Sequence, residues 1–285
     1  MIHKIKVLAI SFFKSILYTL YSLFSYKNGI NKDSNFIVSL TTYNKRLPFV
    51  YLTIESILRQ KFKPRSVILV LSNKDCSTER LPYLLTRLQK RGLEIKFVDD
   101  NYKSYKKLSY CFDYEFNQGD FIVTADDDVF YPNYWLEKFQ SKVLENSTII
   151  YCYRGRIITF KNNDSLIDYN EWPIANTSNV SDNYLIPTGV SGVCYPYEAI
   201  SNLVCHFDLI DKFCPNADDI WYKLMTTKNG CKSALVENDS VHFTPIITGF
   251  EKGLEKVNVH NNQNVKQFIQ SMSALGITRN DFNYE

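Results

Sequence analysis

The sequence predicts an α/β domain, a mostly parallel central sheet flanked by helices, with a hydrophobic helix placed before it. Three observations carry that prediction. Short apolar runs rich in β-branched residues alternate with helix-periodic segments between residues 36 and 153. A nearly unbroken apolar stretch occupies residues 7–24, ahead of a polar linker. The 285 residues are 45% hydrophobic and 22% charged, the balance of a globular chain long enough to bury its own core.

The stretch 7–24 only just reaches the length needed to cross a bilayer. Its polar positions Ser11, Lys14, Ser15, Thr19, Ser22 and Ser25 recur every three to four residues and form one stripe on a helix. Such a helix can span a membrane once or lie in its interface, where His3, Lys4, Lys6 and Lys27 suit anionic headgroups. It can also pack on the domain that follows, serve oligomerisation, or be an uncleaved signal-type segment. No small-residue cleavage site follows it, so a removable signal peptide is not expected. Residues 1–30 are assigned to this helix and its linker, and 31–285 to the α/β domain.

Residues 36–42 read as the first buried strand, and 47–60 as a helix with Pro48 in its first turn, where a missing N–H costs nothing. A strand over 66–71 and a helix over 79–91, closed by Gly92, come next. A strand over 94–98 and a helix over 105–116 continue the alternation. The strand 121–125 runs directly into Asp126, Asp127 and Asp128, before a helix over 132–144 and a strand over 148–153. In such sheets ligands sit outside the carboxyl ends of the strands. Beyond this point, residues 161–183 are polar and read as a long loop with the character of a functional lid. Helices over 197–204 and 217–227 and a strand over 232–236 complete the pattern.

Several function classes fall away at this level. Thirty-three basic against thirty acidic side chains give a net charge of +3, with no cationic excess to draw a phosphate backbone, so nucleic acid is not expected as a partner. The seven cysteines stand singly, with no C-x-x-C pair, which fits free thiols in a reducing compartment and not a disulfide framework or zinc ribbon. No dinucleotide-binding glycine motif, P-loop or H-E-x-x-H is present, and Gly189-Val-Ser-Gly192 is one residue short of a nucleophile elbow.

The strongest chemical signal is Thr124-Ala-Asp126-Asp127-Asp128-Val-Phe-Tyr-Pro132. Three adjacent carboxylates leaving an apolar strand cannot all stay ionised without a counter-charge. A hard divalent cation, Mg²⁺ or Mn²⁺, supplies one, and it completes its shell with substrate phosphates. The site therefore asks for a diphosphate ligand. The same residues would also serve as a solvated acidic turn capping the following helix.

These segments resemble the nucleotide-sugar glycosyltransferases of the GT-A fold, and most closely the bacterial family 2-like group active in surface-polysaccharide synthesis. The likeness rests on Ile37-Val-Ser-Leu-Thr-Thr-Tyr43, the Asp126–Asp128 cluster, Thr188-Gly-Val-Ser-Gly-Val-Cys-Tyr-Pro196 and Cys214-Pro-Asn-Ala-Asp218-Asp219-Ile-Trp221. It covers residues 36–241 and implies a GT-A-like single domain behind the hydrophobic helix. It places Thr41, Thr42 and Tyr43 on the nucleotide base, Asp126 and Asp128 on Mn²⁺ or Mg²⁺, and Asp127 toward the donor sugar or ribose. The Asp that reads uracil in the family has no clean match; Ser72-Asn73-Lys74-Asp75 stands in its place, so Asp75 is the candidate and the base stays open.

Asp219 matches the family's acceptor-side base, with Asp218 as its neighbour, although an acidic pair opening a helix also satisfies backbone N–H groups. Gly189 and Gly192 flank a turn that would let backbone approach the sugar, or an ordinary β-turn. Lys103, Lys106 and Lys107 meet phosphates or form a solvated helix face. His242 and His260 are candidates for a third metal ligand or a diphosphate contact, His242 being favoured. The implied activity is a metal-dependent, inverting sugar transfer from a nucleotide-diphosphate sugar to a glycan or lipid-linked acceptor. The implied setting is a membrane surface, the cytoplasmic face of the inner membrane. A nucleotidyltransferase on a similar fold and a membrane-docked carbohydrate-binding protein without turnover are the alternatives.

Overall fold

The apolar runs ahead of the acidic cluster become strands because packing covers them on both faces. β1 (Phe36–Thr41), β2 (Ser66–Ser72), β3 (Leu93–Val98) and β4 (Phe121–Ala125) lie parallel in the order β3-β2-β1-β4. β2 and β4 are buried throughout, whereas β3 at the edge leaves Glu94 exposed. The computed structural model describes residues 2–76, 81–111, 116–161, 165–176, 183–246 and 263–282, with side chains from residue 4 onward. These fall into two compact units, the first made of Met1–Cys111, Phe121–Ser141 and Phe243–Glu251.

Four helices in the first unit follow the expected alternation. They are α2 (Val50–Leu58), α3 (Tyr83–Gln89), the short α4 (Lys106–Ser109) and α5 (Trp135–Glu145), whose first turns belong to this unit. α2 starts later than its periodicity suggests. The N–H groups of Leu47 and Phe49 bond back to the carbonyls of Tyr43 and Arg46, so residues 44–49 form turns that the helix then continues. Gly92 closes the α3 connection at φ +111°, in the region where only glycine sits without strain. Leu40 pairs with Ala125 across β1 and β4, so Thr41, Thr42 and Asp126 leave the sheet side by side at its carboxyl end.

The amino-terminal helix α1 (Ile2–Phe24) packs on α2 and α3 with its polar stripe turned inward. Thr19 Oγ1 lies 2.7 Å from Tyr51 Oη, and Ser22 Oγ donates to Glu55 Oε2 at 3.0 Å. The Arg59 guanidinium covers the Tyr21 ring at 3.7 Å, and Tyr18 leans on Phe130 with ring centroids 5.2 Å apart. Glu55 is fully buried and takes both guanidinium nitrogens of Arg91, at 2.5 and 3.1 Å. The apolar side chains of α1 are left outside. Phe13 is 69% exposed and Phe24 70%, with Ile5, Leu8, Phe12, Ile16, Leu17 and Leu20 also open. Residues Lys4–Phe24, with a mean hydropathy of 1.6, are long and apolar enough to cross a membrane by length and composition.

The second unit comprises Phe112–Asp120, Lys142–His242 and Lys252–Glu285. In it β5 (Ile150–Cys152) pairs antiparallel with β8 (Val193–Pro196) and parallel with β9 (Ser233–Leu235). β6 (Gly155–Ile157) and β7 (Leu185–Pro187) form a separate antiparallel pair. The helices are α6 (Phe207–Phe213), α7 (Asp218–Lys228) and α8 (Gln263–Leu275).

Three expectations are corrected here. Residues 197–204 hold two short 3₁₀ turns, Tyr197–Ala199 and Asn202–Cys205, because Pro196 caps the first and Ser201 opens the second. The stretch 161–183, read as a long polar loop with the character of a lid, is anchored at its described residues: Trp172 is buried against Phe268, and Ala175 bonds to Gly155. The expected helix over 105–116 is reduced to α4 among the described residues.

Glu55 shows what the α1 packing rests on. Removing one partner of a buried ion pair typically costs about 3–5 kcal/mol, because the other charge stays buried alone. Glu55→Ala is therefore expected to lower the melting temperature by several degrees or more in a thermal melt. An unchanged midpoint would mean that the Glu55–Arg91 pair carries none of this packing.

Candidate active site

The three carboxylates at the end of β4 are not equivalent. Asp127 is turned inward and nearly buried. Its Oδ2 accepts the Thr42 hydroxyl and its Oδ1 the Arg46 guanidinium at 2.7 Å, while Thr53 donates to its backbone carbonyl at 3.0 Å. Arg46 also reaches Asp128 Oδ2 at 2.9 Å, so one guanidinium bridges two acids. Lys107 Nζ lies 3.1 Å from Asp126 Oδ1, and the Asp126 N–H donates to Tyr131 Oη at 2.8 Å. The Asp128 carbonyl accepts the N–H of Ile246 at 2.7 Å, which fixes the turn from behind. Two cations thus meet three carboxylates. Burial, reinforced by Asp126 and opposed by Arg46, pushes the Asp128 carboxyl up to about 7.

A polar network adjoins the ends of β2 and β3. Asn101 donates to Asp75 Oδ2 at 3.0 Å and accepts from Lys106 Nζ at 3.0 Å. Lys106 is almost wholly buried, and that burial lowers its pKa against the pull of Asp75. Burial together with the Asp75 carboxylate raises the Cys76 thiol to about 12, so it stays protonated. Thr41 spends its hydroxyl on the Val70 carbonyl at 2.8 Å. Tyr43, 39% exposed and faced by the Arg46 guanidinium, presents an open aromatic ring.

The second unit holds a separate acidic centre. Asp218 and Asp219 open α7, and both oxygens of Asp219 share the Gly189 N–H, at 3.1 and 3.2 Å. Gly189 begins a 3₁₀ turn that Gly192 closes at φ +97°, a conformation that suits glycine and not larger residues. The turn is tied down by Ser191, which donates to the Val241 carbonyl at 2.7 Å. Tyr169 lies within the field of Asp219, Arg156 and Arg154, and burial first, then Asp219, raises its phenol to about 12.

A family model described as "Glycosyl transferase family 2" matches residues 37–199, more than half of the chain. The chain belongs to glycosyl transferase family 2. No curated protein matches it. Among solved structures, the mannosyltransferase PcManGT from Pyrobaculum calidifontis, in complex with GDP-Man and Mn²⁺, superposes with a TM-score of 0.54 at 16% identity. That match covers 98% of this chain and 77% of the other. GalNAc-T7 with UDP, GalNAc and Mn²⁺ gives 0.52 at 10% identity, over 84% of this chain and 48% of that one. At these identities the likeness establishes the fold, which is GT-A.

Within that family fold, the structure gathers Thr42, Asp126, Asp127 and Asp128 at one sheet end and Gly189 and Asp219 at one turn. Thr42 and Asp127 hold each other and are buried, so Asp127 shapes the turn where it was expected to face the donor. Thr41 likewise has its hydroxyl engaged with the sheet. Lys107, and not Lys106, makes the ion pair with the acidic cluster. Among the described residues, no group of three or more His, Cys, Asp and Glu side chains is arranged to hold a metal ion, His242 included. His260 lies outside the described residues. Arg46, which bridges two of the three carboxylates, is not among the residues the sequence singled out. Its signal was present: three adjacent carboxylates demand cations, and Arg46 follows β1 by five positions.

A half-buried carboxyl raised from 3.8 to about 7 binds protons more tightly in the fold than in the unfolded chain. Stability is then lost as pH rises through that window. With chelator present, Asp128→Asn is expected to melt above wild type at about pH 8 and close to it near pH 4. Equal midpoints at both values would remove the burial cost assigned to Asp128.

Proposed function

We propose that this chain is a metal-dependent, inverting glycosyltransferase that moves a sugar from a nucleotide-diphosphate donor to a surface-polysaccharide or glycolipid acceptor. The observation that carries the reading is the cluster closing β4, in a family 2 chain, with two acids presented outward and two cations poised beside them. Asp126 and Asp128 keep 29% and 19% of their side chains exposed, and each leaves one oxygen outside its ion pair. Two carboxylates plus donor phosphates are the usual holding set for Mg²⁺ or Mn²⁺, so the residues fit such an ion without a third protein ligand. When bound, the ion would neutralise the leaving diphosphate.

The chain's own groups supply the rest. Arg46 and Lys107 would exchange carboxylate partners for diphosphate oxygens, which leaves the net charge of the site unchanged as the donor enters with a divalent cation. Tyr43 offers an aromatic face to the base, with Asp75 beyond the end of β2 as the polar contact. Gly189 and Gly192 keep the backbone low where the sugar would lie. Asp219 receives the acceptor hydroxyl proton, and its hydrogen bond from Gly189 fixes the carboxylate. The acceptor's setting is the cytoplasmic face of the inner membrane, where the free thiols of all seven cysteines are stable.

Incubation with a panel of sugar nucleotides and Mn²⁺, with product analysis of the released nucleotide and the anomeric configuration, tests the activity. Asp219→Asn is expected to lose about 10²–10⁴-fold in kcat with donor affinity and melting temperature preserved. Near-normal turnover would leave Asp219 with a structural role at the Gly189 turn. Transfer of a nucleotidyl group in place of the sugar would replace the reading with nucleotidyl transfer.

A further inference from the structure

The orientation of α1 carries an inference about what its outer face meets. Of the two faces, the polar one is consumed inside the protein: Ser22 bonds Glu55, Thr19 meets Tyr51, and Ser11 and Ser22 are buried. The opposite face is a continuous run of Ile5, Leu8, Phe12, Phe13, Ile16, Leu17, Leu20, Leu23 and Phe24, all exposed. A water-facing helix normally shows the reverse arrangement.

The charge around this face has one sign. No acidic residue precedes Asp33, whereas Lys4, Lys6 and Lys27 are exposed at the two ends of the helix. At its carboxyl end an open groove of about 600 Å³ is lined by Tyr21, Phe24, Ser25, Tyr26, Lys27 and Arg59. Two cations there stand beside the last exposed aromatic ring. Tyr26, 82% exposed, has the Arg87 guanidinium over its ring, an amphipathic pair suited to headgroup depth.

We propose that α1 docks the enzyme in the plane of an anionic lipid surface, its apolar face in the acyl boundary and its polar stripe still seated on the domain. Charge selects lipid over a second copy of this chain, because a twofold pairing of this face would bring like-charged lysines together. The seat selects lying over spanning. A spanning α1 would have to leave α2 and α3, break the Ser22–Glu55 bond and uncover the buried Glu55–Arg91 pair. The proposal deepens the membrane setting given above and does not depend on the transfer chemistry.

The test uses the full chain with vesicles of phosphatidylcholine alone or with phosphatidylglycerol added, and a separate sugar-nucleotide hydrolysis assay without vesicles. Flotation should show about tenfold or more tighter binding to the anionic vesicles. A Phe13→Glu, Leu17→Glu double variant should lose that binding at an unchanged melting temperature, since both positions are exposed. Depth is read with Leu8→Trp, Ile16→Trp and Leu23→Trp, one at a time, against lipids carrying a quencher at shallow or deep acyl positions. The native Trp135, Trp172 and Trp221 are buried in the protein and give a constant background.

Equal, shallow quenching at all three positions is the expected result. A graded depth would mean a spanning helix, since Leu8 and Leu23 are about 22 Å apart along the axis, and would overturn the proposal. No vesicle binding, with a concentration-dependent dimer abolished by the double variant, would overturn it in favour of a second copy. Hydrolysis that survives either outcome keeps the transferase reading separate.

Discussion

The charge balance at the carboxyl end of β4 is the constraint on which the site depends. β4 is buried on both faces, so Asp126, Asp127 and Asp128 leave the core with little water to solvate them. The fold meets this with Arg46 from the turn after β1 and Lys107 from α4. Parallel pairing of β1 with β4 brings the Arg46 turn to the acidic one. That arrangement is structural and also chemical. The groups that neutralise the carboxylates are the groups a diphosphate would recruit, so under the proposed function a donor entering with its cation would exchange one set of pairs for another. Asp127 is the inward member of the cluster, locked between Thr42 and Arg46.

Much of the first unit was legible in the sequence because its strands are buried on both faces and read as unbroken apolar runs. Phe121–Ala125 begins and ends where the pattern does, and β1 and β2 agree to within one residue. The second unit was less legible. β6, β7 and β8 have only three or four residues each, too short to establish a period of two, and their pairing is set by contacts distant in sequence. Trp172 sits inside a polar stretch and is buried through Phe268 of α8, a partner that local composition could not supply.

The site divides along the same line. Residue types at the end of β4 singled out the three-carboxylate cluster, because carboxylates leaving a buried strand have few physical explanations, whereas Asp219 was singled out by the resemblance alone. Side-chain direction was not legible. Lys106 and Lys107 are adjacent, yet one is committed to Asn101 and the other to Asp126. The stripe on α1 was visible as a pattern, but a pattern does not say which face is inside. The buried Glu55–Arg91 pair decides it, since Ser22 completes the hydrogen bonding of Glu55.

The most direct measurement is a calorimetric titration of Mn²⁺, without nucleotide, into wild type and into Arg46→Met. Asp127 and Asp128 lose their shared counter-charge in the variant, so Mn²⁺ should bind it more tightly than wild type, and folding should be retained in its presence. Equal Mn²⁺ affinity in the two proteins would contradict the charge balance on which the reading of this site is built.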